Sequence, residues 1–294
     1  MEKLGDAGDP RANSLLKRAF EIDPDSVIRT LIRLTQDFHD EDARPQPLIW
    51  LSHVVDPNAE EPHIATLREV DSLLPQRTQA LRQYAHDVTA RLVESLPPLK
   101  ERVKVIEESE MGLASESSRL LNNLSNHLSW LGRREDALKA IEEAVDLYRN
   151  LAAQRPDAFN ADLTSSLNNL STCLSVLGRR EDALKASEEA VEIRRKLAAQ
   201  RPDAFNPALA TSIGVKSQVL SGIERERDAL DAIREGVEIL RPSFLALPAA
   251  FEGLMDTLVG IYFQLAESLS ENPDAGLLGP IEEAFERLKK RKEE

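Results

Sequence analysis

The chain has 294 residues and a formal net charge of −14, with 51 acidic against 37 basic side chains. A surface this acidic argues against DNA or RNA as a partner and favours a neutral or basic protein or peptide. Aromatic residues make up only 4%, and Ala and Leu fill the apolar positions, which suits closely packed helices better than a β-sandwich.

The single cysteine, Cys173, leaves no intramolecular disulfide and fits a cytoplasmic compartment. No run approaches the ~18 apolar residues of a membrane span. The opening Met1-Glu2-Lys3-Leu4-Gly5-Asp6 lacks the basic and apolar regions of a secretory leader. No membrane contact is expected. The basic run Lys289-Lys290-Arg291-Lys292 sits at the C-terminal end of a helical pattern, where cations suit the helix dipole.

In chain order, residues 1–112 read as a helical N-terminal region. Leu15, Leu16, Ala19 and Phe20 stripe a helix over 12–22, closed by Asp23-Pro24. Val27, Ile28, Leu31, Ile32 and Leu34 stripe a second over 25–38. An apolar run over 45–55 holds Trp50, helices follow over 65–74 and 77–96, Pro97-Pro98 stops the second, and 99–110 leads onward.

From there the chain repeats with a period of 46 residues. Of the 40 positions from 121 to 160, 32 are identical to their partners one period later. Leu121, Leu124, Leu128 and Leu131 form the stripe of a first helix, which Gly132 ends. Glu135-Asp136 opens a second helix carrying Ala137, Leu138, Ile141, Ala144, Val145, Tyr148 and Leu151, where the small alanines allow close approach. Pro156 ends it, and Asp157-Ala158-Phe159-Asn160 reads as a linker whose Phe159, like Phe205, plugs the seam between units. A third copy keeps the register, with Lys216 at the Leu124 and Leu170 place, which weakens the core there or calls for snorkelling. A fourth, divergent copy fits a terminal cap. The array spans 113–294, as units 113–160, 161–206, 207–251 and 252–294.

This unit resembles the tetratricopeptide repeat (TPR), through Leu121, Leu124, Leu128, Gly132, Ala137, Ala144 and Pro156 and their partners one period on. Its length and Leu-Asn-Asn-Leu run make it similar to the long kinesin-light-chain-like subtype found in bacterial signalling and defence proteins. The resemblance implies an all-α fold, a right-handed solenoid of antiparallel helix pairs. It also implies that first helices line a concave face. That places Arg119, Asn122, Asn123, Asn126, Ser129 and Trp130 of one unit in a groove, with Ser165, Asn168, Asn169, Thr172 and Ser175 of the next, and Gln218 and Ser221 of the third. Asn both donates and accepts, so it can pair with the main chain of an extended peptide. Asn122 or Asn168 could equally bond between neighbouring units. Trp130 could be semi-buried or a groove edge.

No P-loop, G-x-S-x-G or H-E-x-x-H occurs. His39, His53, His63, His86 and His127 show no metal-ligand spacing, and the acidic stretch over 37–42 reads as a solvated loop. No enzyme, metal or cofactor is expected. The leading expectation is a non-enzymatic protein-interaction scaffold holding a peptide or partner protein on the concave repeat face. The second is a regulatory or sensor subunit controlling a separately encoded effector, an ATPase, caspase-like protease or nuclease. Self-association through the open ends of near-identical units is a further possibility.

Overall fold

The computed structural model describes residues 15, 18, 19, 22, 27, 30, 56–58, 64–73, 82–96 and 110–293. At 15, 18, 19, 22, 27 and 30 the backbone is helical, as the stripes over 12–22 and 25–38 predict. The apolar run with Trp50, the acidic stretch 37–42, His39, His53, His63, Pro97-Pro98 and the segment 99–109 lie outside the described residues. The described elements are α1 (Ile64–Leu73), α2 (Arg82–Ser95), α3 (Met111–Trp130), α4 (Arg134–Gln154), α5 (Pro156–Val176), α6 (Arg180–Gln200), α7 (Pro202–Gly222), α8 (Glu226–Ala246), α9 (Pro248–Ser268) and α10 (Ala275–Glu293), all of them helices. None is long and apolar enough to cross a membrane. The chain divides into two compact units, Met1–Ala140 and Ile141–Glu294.

In the first unit α1 packs on α2 and α2 on α3, around Leu67, Val70, Val88, Leu92 and Leu120. The buried Asp71 carboxylate ties the three helices together. It accepts from Thr89 Oγ1 at 2.8 Å and from Arg119 Nη1 at 3.0 Å. A buried carboxylate is tolerated only when it is paired and hydrogen-bonded in this way.

The repeat has three recurrent joints. The first closes each helix pair. Ser125, Ser171 and Ser217 donate to the carbonyls of Ala137, Ala183 and Ala229 at 2.8, 2.8 and 2.7 Å. All three alanines are fully buried, and their lack of bulk lets the hydroxyl reach the facing backbone. The second joint is the turn. Gly132, Gly178, Glu224 and Ser270 share the left-handed conformation, with φ of 78°, 78°, 63° and 55°. After each, the next amide bonds back to the carbonyl five residues earlier: Arg133 to Leu128, Arg179 to Leu174, Arg225 to Leu220 and Glu271 to Ala266. This is the Schellman arrangement, which satisfies the otherwise orphaned carbonyls of a helix end.

The third joint corrects an expectation. Asp157-Ala158-Phe159-Asn160 is the first turn of α5, and the joint between pairs is one residue long. Proline restricts its predecessor, yet it is also well suited to the first helical position, where its missing N–H has no partner to lose. Pro156, Pro202 and Pro248 all stand there. The joint residues Arg155, Arg201 and Leu247 adopt nearly the same turn, φ/ψ of −134/74°, −142/77° and −135/69°.

In the second unit successive first helices pack directly, α5 on α7 and α7 on α9. Phe205 packs against the core of Val191, Ala198, Leu209 and Ile213, so it fills the seam as expected. Lys216 also behaves as expected, reaching outward to Glu188 at 3.7 Å. The terminal helix α10 packs on α8 and α9, with Phe285 against Phe244 at a centroid distance of 4.9 Å.

Candidate functional site

Helical geometry puts positions spaced by four, three and four on one face. In the second unit that face of the first helices points outward. On α5 it presents Ser165, Asn169, Thr172 and Val176; on α7, Thr211, Val215, Gln218 and Gly222; on α9, Thr257, Ile261, Gln264 and Ser268. Each of these residues is exposed or half-exposed. None is charged, in a protein where 30% of residues are. The contrast holds for whole helices: α5 and α7 carry two charged residues each, against ten on α6 and eight on α8. The charge therefore sits on the second helices, and the first helices offer hydroxyls and amides.

The residues expected in a groove divide into two groups. Three bond to side chains of neighbouring helices. Asn168 Nδ2 donates to Ser212 Oγ at 2.9 Å, joining α5 to α7. One period later the same seam is made by Gly214, where an added Cβ would lie 2.8 Å from Leu258 Cδ2, so a polar pair has given way to a small–large apolar pair. Ser165 Oγ donates to the Ala161 carbonyl and accepts from Arg194 Nη2, both at 3.0 Å. Arg119 is held by Asp71 in the first unit.

The second group faces outward. Asn169 and Ser175 are half-exposed, and Gln218 is exposed. Thr172 is exposed, its hydroxyl donating back to the Asn168 carbonyl at 3.0 Å. In the first unit Asn122, Asn123 and Asn126 are half-buried and Ser129 is exposed. Trp130 is half-buried and meets His127 edge-on at 5.6 Å. His127 is buried, and burial lowers its pKa below the usual imidazole value, with Asp71 opposing and His86 adding to the shift. Its register mate Cys173 is half-buried.

Two features lie outside the sequence expectations. The first is an extension of the uncharged face. Val176, 51% exposed, is an apolar side chain at its end. Thr211 and Gln264 carry it onto α7 and α9, where following the Ser165 and Thr172 columns forward one and two periods finds them. The second is Arg194, which occupies the core column of Tyr148 and Leu240. It is 7% exposed, donates to the Ala161 carbonyl at 3.0 Å, and leaves Nε without a partner among the described residues. Burial lowers its pKa, and the field of Asp162 opposes this. Among the described residues no cluster of three metal-ligating side chains occurs.

Residues 116–196 match the family model of the tetratricopeptide repeat. This segment of the chain carries tetratricopeptide repeats. The repeats have relatives of the same fold among solved structures. The crystal structure of a Podosopora anserina putative kinesin light chain with nearly identical TPR-like repeats aligns at a TM-score of 0.52 and 15% identity, over 74% of this chain and 95% of that one. The apo form of RapI aligns at 0.53 and 14%, over 90% of this chain and 84% of that one. At these identities the likeness is one of fold. No curated protein sequence matches the chain.

Proposed function

We propose that this protein is a non-catalytic interaction scaffold that holds an extended segment of a partner protein on the exposed face of its first helices. The uncharged face running over α5, α7 and α9 carries the reading. A partner bound there is read by hydrogen bonds from Asn169, Thr172 and Gln218, with an apolar contact at Val176, and not by ion pairing. Asn123 and Asn126 offer the same chemistry in the first unit. A repeat array suits this task because each unit presents the same side-chain columns at a regular step, matching a partner that is itself extended.

The test is co-purification of partners from the native host with the wild type and with an Asn123→Ala/Asn169→Ala double variant. A partner retained by the wild type and lost by the variant, at unchanged circular dichroism, supports the face. Equal retention by both overturns it.

A further inference from the structure

The second helices bear a separate feature, a crevice of about 380 Å³ between α4 and α6 that opens onto α5. Its floor is apolar: Val145 of α4, Leu170 and Leu174 of α5, and Ala186 of α6, all buried. Its rim is charged and bridged. Arg149 donates to Glu189 at 2.7 Å, and Arg179 lies 3.5 Å from Glu142. Carboxylates outnumber cations four to three around that rim.

The next two seams show what such a crevice accepts. One period on, Glu188 stands for Glu142, Val191 for Val145, Leu220 for Leu174 and Ala232 for Ala186. The bridge recurs as Arg195 with Glu235. Two places differ in kind: Asp231 replaces Lys185, and Lys216 replaces Leu170. Lys216 lies across this second seam with its ammonium 3.7 Å from Glu188 and its side chain 29% exposed. At the third seam the corresponding pair is Arg234 and Tyr262, the guanidinium 6.0 Å from the ring centroid. Both later seams thus place a cation of the chain itself at this pair of positions. In the first, Leu170 is too short and too apolar to meet Glu142, and the space stays open.

We propose that the α4–α6 crevice is a socket for a lysine side chain of a partner protein. The methylene stem lies on Val145, Leu170, Leu174 and Ala186, and the ammonium joins Glu142, as Lys216 does with Glu188 in the following seam. An aliphatic stem with a compact charged tip satisfies an apolar floor and an acidic rim together. The added charge also balances the rim. The exposed Glu142–Arg179 contact does not prevent this, since such a pair is weak and easily rearranged. The socket's rim lies on the second helices and its floor includes buried residues of α5, so it stands or falls independently of the uncharged exposed face.

The experiment is a methyl NMR titration of the full chain with a capped Gly-Gly-Lys-Gly-Gly peptide, and with the same peptide carrying norleucine in place of lysine. The lysine peptide is expected to shift the Val145, Leu170 and Leu174 methyls saturably, and the norleucine peptide to bind at least tenfold more weakly. Leu170→Lys copies the second seam and is expected to abolish the Val145 and Leu174 shifts while leaving the melting curve unchanged. Lys216→Leu copies the first seam and is expected to open a second site, read at Val191 and Leu220. Shifts that are absent in the wild type, equal for both peptides, or undiminished by Leu170→Lys overturn the proposal.

Discussion

The second repeat (α5, α6) and the fourth (α9, α10) share a backbone and differ in how side chains hold it. Both begin with proline at the first helical position, and both turn through a left-handed residue with the same pair of backward hydrogen bonds. Yet the second repeat locks its pair with Ser171 on the Ala183 carbonyl, and the fourth has Phe263 in that column, 43% exposed. The second turns at Gly178, the fourth at Ser270. In the second, Arg179 grips Asp182 beside the turn at 3.0 Å; in the fourth, Glu271 holds that column. Freed of that arginine, Asp274 caps α10, accepting from the Gly276 and Leu277 amides at 2.8 and 3.2 Å. The joint geometry outlasts the residues best suited to it, because packing of the flanking helices dictates it.

Exchanging residues between repeats tests this, and the largest effect is expected at the pair lock. Ser171→Phe puts the fourth repeat's residue into a fully buried site, overpacking it and stripping the Ala183 carbonyl of its donor. A loss on the order of 3 kcal/mol is expected, against under about 0.5 kcal/mol for the exposed Phe263→Ser. Urea midpoints of the two variants measure the contrast, and similar shifts would show that the column does not matter.

Arg194→Leu borrows from the third repeat, where Leu240 fills the column. Removing a buried cation whose Nε has no partner among the described residues is expected to stabilise the protein by about 1 kcal/mol. A lower melting temperature instead would mean that its bonds to Ala161 and Ser165 outweigh its desolvation.

The turn comes next. Gly178→Glu is expected to cost about 1 kcal/mol, and Glu224→Gly to gain somewhat less, because the added freedom of glycine in the unfolded chain offsets part of the relieved strain. Thermal unfolding of both variants should show opposite signs. The smallest effect belongs to the surface bridge between repeats. A double-mutant cycle on Arg195→Ala and Glu235→Ala is expected to give about 0.5 kcal/mol of coupling or less, vanishing near 1 M salt.

The repeat register, the helix pairs and the glycine turns were legible in the sequence, because near-identity over a fixed period aligns every column. The first turn of α5 was not. A proline that ends one helix and a proline that starts the next look alike in sequence, and only the backbone at Arg155 distinguishes them. The exposed face of the first helices was half legible. Asn168 and Asn169 are one residue and roughly 100° apart, so sequence alone could not say which one bonds to Ser212 and which faces out. Arg194 looks like a surface charge when its helix is read alone. Its column, with Tyr148 before and Leu240 after, marks it as a core position.

The one-residue joints at Arg155, Arg201 and Leu247 make the length of this chain a matter of phase. With no slack between pairs, an added or deleted residue there must be absorbed by the flanking helices, where each residue is worth roughly 100° of rotation, turning the uncharged face out of line. Only whole units of 46 residues preserve the alignment. Such a protein can lengthen or shorten its reach by recombination between near-identical copies, and every surviving product keeps the same columns in line.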